Sequence, residues 1–160
     1  LNGKSLGIKR KQADDLHVSW RTTFEPGILK AVSRKNGKVV LTSEIKTAGK
    51  PAAILLQADR NIIKADGQDV SFITVKVVDK DGNIVPDADN LVNFQIEGKG
   101  SVIGVDNGSQ TSMESFKASN RKAFKGMCLV VVQANKTADM INVKAISPGL
   151  KTAVVKIESK

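Results

Sequence analysis

The sequence contains few of the side chains that build metal centres, disulfides and nucleophilic sites. Its 160 residues include one Cys, one His and no Tyr. Cys128 has no partner for an internal disulfide or a thiolate zinc cage, and its apolar neighbours predict a small buried hydrophobe. With His17 as the only imidazole, most metal-hydrolase schemes are excluded. We therefore expect no metal and no cofactor, and any catalysis would have to use carboxylates.

Long apolar runs are also missing. The longest, Ala52 to Leu56 and Leu129 to Val132, are far shorter than the roughly 18 residues that a membrane-spanning helix needs. No apolar segment follows a basic one at the N-terminus. The sequence thus predicts neither a membrane span nor a signal peptide in these residues. With 41% hydrophobic residues it can still build ordinary cores, in one large domain or two small ones.

Basic residues outnumber acidic ones, 25 against 16, which gives a net charge of +9. A nucleic-acid-binding surface would gather basic residues on one face and add aromatic side chains for stacking. Here only Lys9 to Lys11 form a basic run, and the five Phe and one Trp are dispersed through apolar patterns. The excess charge indicates a solvated surface, and we expect no nucleic-acid partner.

Strand-like patterns fill the chain, and no stretch sustains a helical period. A polar break at Asp59-Arg60-Asn61 separates two parts. Only about five strands fit into residues 1–58, whereas an immunoglobulin-like sandwich uses about seven. Because the Asn2-Gly3 hairpin signal has no strand before it, we expect a partial sandwich and a chain cut from a longer protein. The clearest strand candidates in this part are Leu16 to Trp20, Gly27 to Ser33, Val39 to Ile45 and Ala52 to Ala58.

Residues 59–160 repeat the same pattern more completely. Turn signals separate nearly all of seven predicted strands, so this part is predicted to be a second, complete sandwich. The fold class is therefore all-β, with two tandem immunoglobulin-like β-sandwich domains, the first truncated at its N-terminus. The seven strands are predicted at Ile62 to Lys64, Val70 to Val78, Leu91 to Glu97, Ser101 to Val105, Met127 to Ala134, Met140 to Ser147 and Thr152 to Ile157.

One polar segment of about twenty residues, Asp106 to Gly126, interrupts this alternation of strands and turns. Long irregular loops in compact domains are uncommon and tend to be functional. The alternative is a solvated excursion that Phe116 and Phe124 anchor in the core. We predict a contact loop in which Arg121→Ala alters activity or domain docking and leaves the fold of this domain intact. Its candidate contact residues are Asn107, Glu114, Asn120, Arg121 and Lys122.

Carboxylates form no recognisable catalytic or metal-binding pattern. Glycoside hydrolysis needs two carboxylates about 5 to 9.5 Å apart, and the five Glu residues are isolated in turns, strands or the terminus. Asp79-Lys-Asp-Gly82 resembles the start of a calcium loop, but its twelfth position is Asn90 rather than Glu. A tight turn between Val78 and Ile84 explains the same residues without a metal.

Trp20 and Phe24 are the candidates for an aromatic platform that would stack on a sugar. Trp20 continues the alternation of Leu16 and Val18, so its expected position is the inner face of a sheet. His17 would then lie on the opposite, solvated face. We favour the core position for Trp20 and keep the platform as the alternative.

Several longer strings carry a resemblance to a known family. Residues 1–7 (LNGKSLG), 20–27 (WRTTFEPG), 29–32 (LKAV) and 47–51 (TAGKP) resemble the immunoglobulin-like domain that follows the catalytic barrel of family 2 glycoside hydrolases of the β-galactosidase type. Phe24 stands where the family usually has Tyr. The next, C-terminal domain of those enzymes, invasin-like in fold, is similar to this chain at residues 58–90, 104–108 (GVDNG), 115–126 (SFKASNRKAFKG) and 147–150 (SPGL).

The resemblance implies a non-catalytic, scaffolding role for the chain. In that family the two catalytic glutamates lie on an upstream barrel, and no position here matches their motifs. The barrel of the same polypeptide is thus the expected partner, with a glycan as a further possibility, and a location outside the cytoplasm is implied by the resemblance only. The alternative function is a carbohydrate-binding module, and catalysis by this chain itself is the weakest of the three hypotheses.

Overall fold

The computed structural model describes all 160 residues and contains eleven β-strands and no helix. The predicted all-β class is confirmed, and there is accordingly no helix that could cross a membrane. The strands are β1 (Ile28–Lys35), β2 (Lys38–Lys46), β3 (Ala53–Ala58), β4 (Ile62–Ile63), β5 (Val70–Val78), β6 (Leu91–Glu97), β7 (Gly100–Asp106), β8 (Asn120–Lys122), β9 (Met127–Ala134), β10 (Asp139–Ile146) and β11 (Ala153–Ser159).

The chain divides into two compact units, and the first comprises Leu1–Thr47. Its only sheet is the antiparallel hairpin of β1 and β2. Asn36 and Gly37 connect the strands with φ angles of 52° and 77°, which the tight two-residue hairpin turn requires. A salt bridge of 3.1 Å between Lys30 and Glu44 joins the strands on one face.

The strand predicted from Leu16 to Trp20 is wrong. No residue before Ile28 lies in a strand, and Leu16 is 95% exposed. An alternating pattern yields a strand only where a neighbouring strand accepts its backbone hydrogen bonds, and residues 16–20 have no such neighbour. The preferred core position of Trp20 is also wrong, since this side chain is 42% exposed.

The second unit, Ala48–Lys160, is a sandwich of two sheets. Four strands form one sheet in the order β3-β5-β9-β7, and five form the other in the order β4-β11-β10-β6-β8. All pairings are antiparallel except that of β4 with β11. The strand predictions for β5, β6 and β9 match the observed bounds at both ends.

The boundary between the units differs from the predicted one at residues 58 and 59. Strand β3 pairs with β5 along its whole length, so residues 53–58 belong to the second unit. The polar residues that suggested a boundary form an internal connection instead. The Asp59 carboxylate accepts hydrogen bonds from the Ser71 hydroxyl at 3.1 Å and the Phe72 amide at 2.8 Å, which holds the end of β3 beside β5.

Alternating side chains from both sheets fill the core of the second unit. Every second residue of β5 and β9 points inward and is buried, as the period of a strand requires. The inner residues of β10 and β6 pack against them from the other sheet. The fully buried apolar side chains are Ile73, Val75, Val77, Val92, Val130, Val132, Ile141, Val143, Ala145 and Ile157.

The Asp79 turn shows why the calcium-like pattern needs no metal. The Asp79 carboxylate is buried and accepts the backbone N–H groups of Gly49 at 2.7 Å, Asp81 at 2.9 Å and Asn83 at 2.8 Å. The Asn83 side-chain amide donates to it as well. These bonds lower the pKa of Asp79 to about 2, with the bond from Gly49 as the largest cause. The predicted tight turn between Val78 and Ile84 is confirmed.

We expect Asp79→Asn to lower the Tm of the chain by several degrees at pH 7, because an amide NH₂ would face backbone N–H donors. The folded-state pKa is depressed, so the carboxylate stabilises the fold above pH 4 and loses this effect as the pH falls towards 2. The Tm difference between wild type and variant should therefore shrink over that range in thermal scans. Asp81→Asn, an exposed neighbour, serves as the control. A difference that stays constant from pH 7 to pH 2 would contradict the assignment.

Candidate functional site

The polar segment between β7 and β8 is organised around one buried cation, the Arg121 guanidinium. Arg121 lies in the middle of β8, and its side chain is fully buried. Its Nη1 donates to the Glu114 backbone carbonyl at 3.0 Å, and its Nη2 donates to the Asn107 Oδ1 at 3.3 Å and the Asp106 Oδ1 at 3.4 Å. One side chain thus bonds to both ends of the segment. We call residues 106–122 the Arg121-clasped loop.

Glu114 extends this network from within the loop. Its Oε2 lies 3.8 Å from the Arg121 Nε and accepts a hydrogen bond from the Ser112 hydroxyl at 3.1 Å. Its Oε1 accepts the backbone N–H of Lys122 at 3.1 Å. The carboxylate therefore joins the loop to β8, and both of its oxygens are occupied.

Asn107 and Asp106 shape the start of the loop. The Asp106 carboxylate accepts the backbone N–H groups of Asn107 and Gly108 at 2.6 and 3.1 Å. The Asn107 side chain donates to the Lys122 carbonyl at 2.9 Å and accepts the Ser109 N–H at 3.0 Å. These hydrogen bonds to the Asp106 and Asn107 side chains replace the inter-strand backbone hydrogen bonds that stop at the end of β7.

Phe116 and Phe124 do not anchor the loop in the core, contrary to the alternative that the sequence left open. Phe116 is 61% exposed and Phe124 41% exposed. The Phe116 ring instead covers Arg121, with 5.1 Å between the ring centre and the guanidinium carbon. Its backbone carbonyl accepts the Val105 N–H at 2.8 Å, so the loop runs back along the edge of β7. The anchor of this segment is a charged residue rather than an aromatic one.

The five predicted contact residues therefore divide into two groups. Asn107, Glu114 and Arg121 form one hydrogen-bonded cluster, and the burial of Arg121 rules out a direct contact of this side chain with a partner. Asn120 is half-buried on β8 opposite Asn93, and Lys122 is exposed. The burial and bonds of Arg121 lead us to expect that its replacement costs stability, so the sequence-based prediction that the fold stays intact is now tested by Arg121→Ala below.

Strand β8 itself was missed by the sequence reasoning. It is three residues long, and only its central residue points inward. That inward residue is Arg121, so the apolar pattern that usually indicates a strand is absent. Only the pairing of residues 120–122 with β6 shows that they form a strand. The cost of burying the arginine is reduced because Nη1 and Nη2 donate hydrogen bonds and two carboxylates lie within 4 Å of the guanidinium. Its Nε has no hydrogen-bond partner and lies 3.8 Å from Glu114 Oε2.

The candidate aromatic platform lies in the first unit and is exposed. Phe24 is 77% exposed, and Trp20 has the Lys9 ammonium 5.7 Å from its ring centre. These two rings therefore remain available for contact with a ligand. Their exposure is the observation that keeps a carbohydrate-binding function in consideration.

The chemistry of the clasped loop is that of a structural network. Its carboxylates are already bonded to the guanidinium, a hydroxyl and backbone N–H groups. Cys128 lies buried nearby, and burial raises the pKa of its thiol to about 12, so that it is not a nucleophile at neutral pH. The prediction of a small buried hydrophobe at this position is confirmed. No group of three or more His, Cys, Asp or Glu side chains is placed to hold a metal ion.

Comparison with known proteins identifies the same family as the sequence strings did. Residues 54–156 match the family model described as glycoside hydrolase family 2 C-terminal domain 5. Residues 1–41 match a second model, described as a domain of unknown function (DUF4982). The first match covers almost the whole of the second unit and confirms the predicted resemblance.

Individual relatives agree with this result. The chain is 54% identical over its full length to beta-galactosidase BoGH2A of Bacteroides ovatus and spans 19% of that protein. A crystal structure of a glycosyl hydrolase family 2 member from Bacteroides cellulosilyticus is 42% identical, with a TM-score of 0.91 over 98% of this chain and 22% of that one. A β-glycosidase from Bacteroides vulgatus is 29% identical with a TM-score of 0.90, over 98% of this chain and 20% of that one. The chain thus corresponds to about a fifth of larger polypeptides.

We expect Arg121→Ala to lower the free energy of unfolding by about 3 kcal/mol, within the range for truncating a large, fully buried side chain to Ala. The change removes the counter-ion of Asp106 and Glu114 and leaves the Glu114 carbonyl without its donor. Arg121→Lys should recover only part of the loss, because one ammonium cannot span the same acceptors. Urea unfolding of the chain measures both effects.

Lys122→Ala is the matched control, since this neighbouring side chain is exposed and should cost no more than about 0.5 kcal/mol. Equal effects of the Arg121→Ala and Lys122→Ala changes would show that the clasp does not hold the loop.

Proposed function

Because the chain belongs to the glycoside hydrolase family 2 C-terminal domain 5 family, we propose that it is a non-catalytic accessory region of a β-galactosidase-like enzyme. Its role is to scaffold the catalytic part of the same polypeptide. The observation that carries the proposal is the full-length match to a protein named a beta-galactosidase, of which this chain spans 19%. The other four fifths of such a polypeptide offer room for a catalytic barrel.

The hydrogen bonds and ion pairs of the carboxylates support this role. Asp106 and Glu114 hold Arg121, Asp79 holds the turn after β5, and Asp59 holds the end of β3. A catalytic pair needs one carboxyl group with a raised pKa and one free to attack or to activate water. Of the carboxylates in these clusters, Asp79 has its pKa lowered rather than raised. These four acidic residues of the second unit thus stabilise turns and the clasped loop.

The clasped loop is the proposed contact segment towards the catalytic barrel. Arg121 and Glu114 fix the loop backbone, which reduces the conformational entropy that a partner would otherwise have to restrict. The fixed loop presents Met113, 97% exposed, and Phe116, 61% exposed. Large exposed apolar side chains on an ordered loop are typical of a protein contact.

The first unit is proposed to be part of an immunoglobulin-like module. A two-stranded hairpin is marginally stable by itself in water. One face of the β1–β2 hairpin carries Leu29, Leu41 and Ile45, which are 40%, 63% and 69% exposed. Such a face gains stability when a further sheet covers it, as in a sandwich.

The chain alone should not hydrolyse an aryl β-galactoside. We expect no release of the chromophore above a buffer blank from purified chain, whereas the full-length polypeptide should turn the substrate over. The full-length polypeptide assayed in parallel is the positive control. Turnover by the chain that one Glu→Gln substitution abolishes would overturn the accessory role.

A carbohydrate-binding module is the second candidate function, and the exposure of Trp20 and Phe24 favours it. Flat aromatic rings that are exposed on one surface can stack on the faces of sugar rings. In this function the first unit would hold a polysaccharide near the catalytic part.

Affinity electrophoresis in galactan separates the two candidates. Under the scaffolding role we expect the same mobility with and without galactan, and no change on Trp20→Ala. A retarded chain that regains its mobility on Trp20→Ala, but not on the control substitution Val40→Ala at another exposed apolar residue of the first unit, would favour the module instead.

A further inference from the structure

The outer face of the four-stranded sheet is apolar although it faces solvent. Four large side chains on this face are between 36% and 48% exposed: Leu55, Phe72, Ile103 and Met127. Leu129 and Val131 lie half-buried among them on β9, opposite Thr74 and Phe72 of β5. We call this surface, the outer side of β3-β5-β9-β7, the apolar outer face.

The other sheet of the same sandwich provides an internal comparison. Antiparallel sheets with one solvated side normally place polar residues there. The five-stranded sheet follows this rule over most of its central strands, where charged and amide side chains alternate with the buried ones. These outward residues are Gln95, Glu97, Asn142, Lys144, Lys156 and Glu158. The exposed apolar side chains of these strands, Leu91, Met140 and Val154, each lie opposite a charged residue of the neighbouring strand. On the four-stranded sheet, by contrast, Phe72 lies opposite Val131, and Leu129 and Met127 continue the apolar row along β9, so this side has the contiguous apolar surface of an interface.

A groove runs across the apolar outer face. One depression of about 380 Å³ lies between the Phe124-Lys125 turn, Met127 and the first residues of the clasped loop, Asn107 and Gly108. A second depression of about 360 Å³ lies beside Lys76 and Gln57. Both are shallow, and Thr74 and Met127 line both of them, so the two are neighbours on this face.

Most polar side chains around this groove are already bonded within the domain, with Thr74 and Lys125 as the exceptions. Asp106 and Asn107 bond to Arg121 and to their own turn, and the Gln57 side-chain oxygen accepts the Lys76 Nζ at 3.0 Å. A glycan would need free donors and acceptors for its hydroxyl groups, because a polar group buried without a partner costs free energy. The groove instead offers phenyl, thioether and aliphatic surface, which matches the apolar side chains of a protein domain.

We propose that the apolar outer face docks against another domain of the same polypeptide. This rests on the proposed accessory function and names the surface through which it acts. The relatives supply the occupant: this chain spans 19% of one and 22% of another, so about four fifths of each polypeptide lies outside it. Domain interfaces within one chain bury about 600 to 1,500 Å², an area that one face of a small sandwich can provide.

Lysine acetylation of the full-length polypeptide tests the proposal with a control in the same molecule. Lys76 lies on the apolar outer face and Lys144 on the polar one, both half-buried and both on strands inside their sheets. Docking should make Lys76 react about tenfold more slowly than Lys144, because it reacts only when the interface opens. Rates are read by mass spectrometry.

A matched pair of variants separates docking from local effects on Lys76, such as its bond to Gln57. Phe72→Gln places a polar amide on the apolar outer face, and Met140→Gln does so on the opposite side of the sandwich at the same exposure, 45%. Each lies four residues before its reporter lysine on the same strand and is not its cross-strand partner. Phe72→Gln should raise the Lys76 rate about tenfold, because a docked face would bury an amide without a partner, and should leave Lys144 unchanged. Met140→Gln should change neither rate.

Three outcomes would overturn the proposal. Equal rates at Lys76 and Lys144 in the wild type would show a free surface, protection that appears only after galactan is added would show a glycan site, and protection that grows with protein concentration would show a second copy. The activity of the polypeptide on an aryl β-galactoside is recorded separately. Protection of Lys76 in a polypeptide without that activity would leave the docking face standing and refute the proposed function.

Discussion

The segment that connects the two sheets of the second unit, between β7 and β8, depends on one buried guanidinium, that of Arg121. Strand β7 is the edge of one sheet and β8 the edge of the other, and the segment between them has little apolar content with which to fix itself. Arg121 replaces that missing apolar anchor with bonds to Asp106, Asn107 and Glu114. The cost of burying the charge is reduced because both terminal nitrogens of the guanidinium donate hydrogen bonds and two carboxylates lie within 4 Å, although Nε has no hydrogen-bond partner. The edge of β7 is covered as a consequence.

The same use of carboxylates recurs through the domain and connects its structure to its function. Asp59, Asp79 and Asp106 each receive backbone N–H groups at the point where the chain leaves a strand. A carboxylate bound in this way stabilises a turn through its hydrogen bonds to the backbone. What the domain presents to its surroundings is shape and apolar surface, on the clasped loop and on the apolar outer face. The contribution that we propose for it in a glycosidase is therefore one of contact.

Sequence reasoning succeeded where local pattern and tertiary structure coincide. In β5, β6 and β9 a period of two persists over seven or more residues and every inner position is buried or nearly so, hence the observed bounds match. It failed where pairing with another strand decides whether a strand forms and to which domain the strand belongs. Residues 16–20 alternate but have no neighbouring strand, and β3 reads equally well as the last strand of one domain or the first of the next until its pairing with β5 is known. Arg121 was assigned to the surface because its burial depends on acceptors seven to fifteen residues away.

The claim that this chain acts by contact is tested most directly by an experimental structure of the full-length polypeptide. The account predicts that side chains from another domain cover Phe72 and Met127 on the apolar outer face, while Lys144 and Val154 on the opposite side remain in solvent. An apolar outer face open to solvent, with the chain joined to the rest of the polypeptide only through its linker, would contradict it.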